Sequence, residues 1–155
     1  MFNQIKSYLE HLGVSFTIVE NNPCLLFDVE LKDEQSVEFM ISSLEEHGIV
    51  MVHSTFPFII PDYLRADVSA LVNELNYARP VGNFELCLSD GLIRFKTYLQ
   101  CTKNVLPTFR QIDLLLHTNA LAVEKGYPAF SEYLRKQTKT SKGQSVRKAT
   151  AGKAA

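Results

Sequence analysis

Between Phe84 and Leu99, apolar and polar residues alternate on both sides of an Asp90-Gly91 pair, a pattern that leaves the backbone little choice. Asp-Gly between alternating runs marks a β-hairpin tip, because the tip needs a positive φ that glycine adopts without a Cβ penalty. A two-residue loop at Asp90-Gly91 sets Ser89 opposite Leu92. It gathers Phe84, Leu86 and Leu88 on one face with Ile93, Phe95, Thr97 and Leu99, since strand side chains alternate with period two. The other face then carries Glu85, Cys87, Arg94 and Lys96, with Glu85 directly opposite Lys96, a cross-strand pair of opposite charge.

The rest of the chain supplies elements for this hairpin to pack with. Phe2, Ile5, Tyr8, Leu9 and Leu12 recur at helical spacing and Gly13 stops the run. Ser15 to Glu20 alternates as a strand, Asn21-Asn22-Pro23 is turn chemistry, and Leu25 to Leu31 is a second strand. Residues 36 to 47 fit both a helix and a strand. Pairing with the β-rich run Ile49 to Phe56 decides for a hairpin: a Glu45–Gly48 connection pairs Leu44 with Ile49 and puts Val37, Phe39 and Ile41 on one face with Val50, Val52 and Phe56. Pro57 and Pro61 bracket a break. A helix then carries Leu64, Val68, Leu71, Val72 and Leu75 on one stripe and ends near Ala78. Pro107 opens a long helix with Phe109, Ile112, Leu115, Leu116, Ala120 and Val123 on one side, broken at Gly126 and followed by one or two turns over Pro128 to Arg135. The fold class is α+β, an antiparallel sheet with helices packed on it in the order α-β-β-β-β-α-β-β-α.

Charge is distributed unevenly. Lys136, Lys139, Lys142, Arg147, Lys148 and Lys153 give residues 136 to 155 a charge of +6 with no acid. That leaves ten basic against seventeen acidic residues over 1 to 135, a net −7. The sequence therefore predicts a single domain over residues 1 to 135 and a disordered basic tail over 136 to 155. An acidic body is a poor partner for nucleic acid, where neutralising phosphate supplies much of the affinity. The tail lacks aromatic residues for base stacking and an amphipathic face for a membrane, and reads as solubilising. The first residues have no apolar signal core, and no apolar run approaches the roughly 18 residues of a membrane span, so a cytoplasmic location is expected. Cys24, Cys87 and Cys101 are odd in number and contain no Cys-x-x-Cys, which favours reduced, packed thiols over disulfides or zinc.

No phosphate-binding glycine loop, His-Glu-x-x-His or Gly-x-Ser-x-Gly occurs. His11, His47, His53 and His117 are scattered; only His47 and His53 could meet across a hairpin, and without a carboxylate or cysteine at ligand spacing all four read as surface residues. Glu45, Glu46 and His47 fall at a turn, Asp62, Arg65, Asp67 and Glu74 on a solvated helix face, and Asn73 and Asn76 near a helix end, where Asn satisfies loose backbone groups. The expectation is no catalytic residue, no cofactor-binding residue and no metal ligand.

Asn73-Glu-Leu-Asn76, leading into Gly82-Asn-Phe84-Glu-Leu86 and then Asp90-Gly-x-x-Arg94-Phe95, resembles the YbjN-type domain family over roughly residues 2 to 134. The resemblance implies a type III secretion chaperone-like α+β sandwich, often paired as dimers, acting as a regulator or chaperone-like binder rather than an enzyme. It brings no catalytic residue. The expected function is thus a non-enzymatic protein-binding domain, chaperone-like or a regulatory adaptor, working through an apolar helix or sheet surface. Two other classes compete with it: a small-molecule-binding domain or enzyme whose site forms only in three dimensions, and a regulator reaching nucleic acid through the tail.

One helix face sharpens the expectation. Leu114 and Leu121, seven residues apart, fall on the opposite side of the last helix from its apolar stripe, among Arg110, Gln111, Thr118 and Lys125. They are the candidate contact for a protein partner or for a second copy of the chain. Because no apolar stripe reaches the tail, truncation after Arg135 is expected to leave the melting temperature unchanged in calorimetry; a loss of several degrees would show that the tail packs.

Overall fold

The computed structural model describes residues 1–20, 22–31, 35–77, 79–102 and 105–151, with side chains as far as residue 137. It divides into two units, Met1–Glu124 and Lys125–Ala155. The first contains helix α1 (Phe2–His11), strands β1 (Thr17–Ile18), β2 (Cys24–Glu30), β3 (Ser36–Leu44) and β4 (Ile49–Ile59), helix α2 (Arg65–Tyr77), strands β5 (Asn83–Leu86) and β6 (Leu92–Gln100), and the first turns of helix α3 (Phe109–Ala151). The second is the remainder of α3.

The six strands form one antiparallel sheet in the order β1-β2-β3-β4-β6-β5. The ambiguous segment is a strand, and its hairpin has the expected register: Leu44 pairs with Ile49 and Ile41 with Val52 across a 3₁₀ turn at Glu45–His47. Strand period then puts Leu25, Val37, Phe39, Ile41, Val50, Val52, Phe56, Phe84, Ile93 and Phe95 on one buried face. Ile5 and Leu9 of α1 and Ile112 and Val123 of α3 complete this core. Tyr8 ties the two helices together: its hydroxyl donates to Asp113 at 2.7 Å and its ring meets the Phe109 ring edge-on at 5.2 Å. Burial, reinforced by Asp113, pushes the Tyr8 hydroxyl up to about 12.

Three expectations change at the element ends. The first strand shrinks from Ser15–Glu20 to Thr17–Ile18, and Asn21 lies outside the described residues. β4 continues through Pro57 to Ile59, with its register slipping between Thr55 and Ile59; the missing proline N–H is tolerated there because the ladder is already interrupted. The last helix runs on through Gly126 and Pro128 to Ala151, past the expected break and into the segment read from sequence as a disordered tail. Glycine costs a helix backbone entropy and proline one i→i−4 hydrogen bond, and Ala, Lys, Gln and Arg among the residues that follow are good helix formers. The start of this helix is a capping box: the Thr108 hydroxyl accepts from the Gln111 N–H at 3.2 Å, and Gln111 Oε1 accepts from the Thr108 N–H at 2.9 Å. Ala78, the expected end of the second helix, lies outside the described residues.

The central hairpin forms with a corrected register. Phe84 pairs with Phe95, Leu86 with Ile93 and Glu85 with Arg94, two residues from the predicted alignment. The loop is Leu88–Gly91 rather than Asp90-Gly91 alone: Cys87 N–H donates to Leu92 O at 2.9 Å, Gly91 N–H to Cys87 O at 2.8 Å, and Asp90 Oδ1 accepts from Leu92 N–H at 2.9 Å. A shift of two preserves every face, so Phe84, Leu86, Ile93, Phe95 and Thr97 still point together; only Leu88 leaves them and is exposed in the loop. The reason is a tertiary contact. Gly91, at φ 79°, accepts a hydrogen bond from Ile60 N–H at 2.8 Å, and any Cβ there would collide with the Ile60 carbonyl oxygen. Gly91→Val should therefore destabilise by about 2 kcal/mol or more in denaturant titration, whereas Asp90→Asn, which keeps the acceptor, should change stability by less than about 0.5 kcal/mol.

Candidate interaction surfaces

The outward side of α3 presents what the sequence places there: Leu114 is 64% exposed and Leu121 42%. The buried side is rotated from the predicted stripe. Ile112, Leu115, Asn119, Ala122 and Val123 are buried, while Phe109 is partly exposed and Leu116 and Ala120 are intermediate. Asn119 is the cause. Its Oδ1 accepts from the Ser54 hydroxyl at 2.9 Å, and its amide nitrogen donates to Thr97 Oγ1 and to Leu115 O, the latter at 3.0 Å. Ser54 on β4, Thr97 on β6 and Asn119 are each almost fully buried, so these bonds lock one rotation of the helix on the sheet. A polar residue at the centre of an apolar stripe is the signal that sequence reasoning passed over.

Other polar residues singled out in the sequence have structural partners. Asn76 binds the backbone of β5 from outside the sheet, its Oδ1 accepting from Phe84 N–H at 2.8 Å and its Nδ2 donating to Phe84 O at 3.0 Å. The side chain thus satisfies edge-strand groups that would otherwise be open to another strand. Asn73 is exposed. Glu45 accepts from the N-terminal ammonium at 2.9 Å and from Phe2 N–H at 3.0 Å, which holds its carboxyl below the usual range. Met1 and Glu45 border a cleft of about 600 Å³ together with His47, Gln100, Cys101 and Leu106. Arg65 reaches Asp62 at 3.1 Å and also donates to the Leu88, Ser89 and Ile60 carbonyls, clamping the loop of the central hairpin. Beside that clamp Ile59, Tyr63 and Leu88 are all well exposed, an apolar patch with no periodic signature because its members come from three different segments.

The second sheet face carries Leu26, Asp28, Glu38, Met40, Met51, His53, Arg94, Lys96 and Tyr98. It lies open, with Tyr98 61% exposed and Asp28, Glu38 and Arg94 at the surface. Glu85 forms ion pairs with both Arg94, at 2.7 Å, and Lys96. Burial would raise its carboxyl pKa, but hydrogen bonds from Lys96, Arg94 and Asn83 outweigh that and hold it at about 2.

His53 departs from expectation. His11, His47 and His117 are exposed, but His53 is only 8% exposed, flanked across the strands by Met40 and Lys96. It does not meet His47, which sits in the hairpin turn. Neither ring nitrogen has a hydrogen-bond partner among the described residues, an arrangement that costs about 1–3 kcal/mol. Burial first, and then the Arg94 charge, push its pKa down to about 4; Lys96 acts the same way and Glu85 opposes them. Among the described residues, no group of three His, Cys, Asp and Glu side chains could hold a metal ion, and no helix is long and apolar enough to cross a membrane.

A six-stranded antiparallel sheet with one face buried against helices and the other open defines an α+β domain organised around surfaces. The YbjN family model, described as "Putative bacterial sensory transduction regulator", matches residues 2–132, and the chain belongs to that family. Among solved structures it is similar to YbjN from E. coli, described as "a putative transcription regulator", at 14% identity and a TM-score of 0.55, covering 81% of this chain and 86% of that one. At that identity the likeness concerns the fold. No curated protein matches the chain.

The His53 environment has a measurable consequence. A histidine whose folded pKa lies below its unfolded value of 6.5 stabilises the fold fully above that value, and this contribution is lost as pH falls towards about 4. Stability from denaturant titrations should fall over that window, and His53→Gln should flatten this part of the profile.

Proposed function

We propose that this chain is a non-enzymatic regulatory adaptor that binds a protein partner, in a chaperone-like manner, through the outward side of α3. The observation that carries the proposal is the exposure of Leu114 and Leu121 one above the other on a helix whose opposite side is locked by Asn119. Two leucines spaced seven residues apart on a solvated helix face form the centre of a helix-to-helix or helix-to-groove contact. The regulatory half of the proposal draws support from the description of the family to which the chain belongs. Pairing of two copies through α3 is one form of the same contact, and its isologous geometry would set each leucine against its counterpart.

The variant Leu114→Lys/Leu121→Lys tests this. It should keep its far-ultraviolet circular dichroism and its melting temperature, because neither side chain is in the core. It should weaken self-association in sedimentation, or capture of the partner, by at least about tenfold, equivalent to about 1.4 kcal/mol. Unfolding would mean that the leucines belong to the core, and unchanged association would move the contact elsewhere, with Ile59, Tyr63 and Leu88 the next surface to alter.

A further inference from the structure

We propose that the open face of the sheet binds one soft monovalent metal ion, Cu(I), held by the thioethers of Met40 and Met51 and by an imidazole nitrogen of His53. The chain has three methionines, and the two beyond Met1 both end up beside the same histidine. Met40 on β3 pairs directly with His53 on β4, at a cross-strand separation of about 5 Å. Met51 precedes His53 by two residues on the same face, about 7 Å along the strand. Both methionines are partly exposed, and three rotatable bonds let each thioether swing over the ring.

The histidine points to a ligand independently of the methionines. It is more than nine-tenths buried, and neither of its nitrogens has a partner among the described residues.

The surrounding chemistry selects the ion. Thioether sulfur is a soft ligand that prefers Cu(I), imidazole suits copper as well, and among the described residues the direct cross-strand partners of His53 are Met40 and Lys96, while the nearby Glu85 carboxylate is held by Arg94 and Lys96. Lys96 lies directly across from His53, and Arg94 is close enough to act on it; with both paired to Glu85, a net charge of about +1 remains beside the site. That charge repels a divalent ion twice as strongly as a monovalent one. Further out on the same face Glu38, two positions from Met40, and Asp28 opposite it place two carboxylates where they attract a cation to the rim. Tyr98, across from Met51, borders the opposite side.

The test uses the full chain carrying Cys87→Ser and Cys101→Ser, which removes the two more accessible thiols and leaves buried Cys24 in place. Under anaerobic, reducing conditions Cu(I) affinity is measured by competition with a chromophoric Cu(I) chelator, and Ag(I) serves as the redox-inert probe in nuclear magnetic resonance. One equivalent should bind, shifting the methyl signals of Met40 and Met51 and the ring signals of His53 together. Met40→Leu, Met51→Leu and His53→Gln should each lower the affinity at least tenfold, while Zn(II) should bind at least a hundredfold more weakly than Cu(I). Unmoved methionine methyls, with binding seen only at Cys24 or not at all, would overturn the proposal, as would unchanged affinity in the folded variants. The methyl shifts need only the methionine-containing protein, so a variant that failed to fold would not protect the idea.

Discussion

The hydrogen bonds that Asn119 makes inside the core decide how the rest of the molecule presents itself. An apolar helix face can slide and roll on a sheet at little cost, because dispersion and desolvation are not directional. A buried amide cannot. Once Ser54 and Thr97 have fixed its oxygen and nitrogen, a helix rotation would strand polar atoms in the core. The orientation of α3 follows, and so does the identity of the residues facing away from the sheet. The outward setting of Leu114 and Leu121 is therefore a consequence of the core as much as of helical periodicity.

The sheet imposes a second asymmetry. All three helices contribute buried residues, and most deeply buried strand positions share one face, which leaves the other to buried Cys24, half-buried methionines, a solvent-shielded histidine and a three-membered ion cluster. β4 lies at the centre of both arrangements. Its even-numbered residues Val50, Val52, Ser54 and Phe56 build the core, and its odd-numbered Met51, His53 and Thr55 build the open face. Neither edge of the sheet is an invitation to unregulated pairing: β1 is two residues long, and β5 has the Phe84 backbone capped by Asn76. Protein contact through side-chain surfaces fits this architecture better than strand addition at an edge.

Family membership and function part company at this point. The family model covers most of the chain and the neighbour's fold agrees, yet a fold hosts many activities and function resides in particular surfaces. The helix face and the open sheet face lie on opposite sides of the buried layer. A contact on one can be altered by mutation without touching the residues of the other, so the two proposals stand or fall separately.

What the sequence determined by itself was everything governed by local periodicity. The order of elements, the membership of each strand face and the outward placement of Leu114 and Leu121 follow from periods of 2 and 3.6, and the Leu44–Ile49 pairing from the short connection between two runs that agree on one core face. A two-residue slip is invisible to a period of two, which is why the faces of the central hairpin were legible and its register was not. That register depends on Ile60 reaching Gly91 from outside the hairpin. Burial of His53 depends in the same way on cross-strand neighbours from β3 and β6, and the rotation of α3 on hydroxyls from β4 and β6. Residues far apart in the chain must come together before these features have a cause, and only the tertiary structure brings them together.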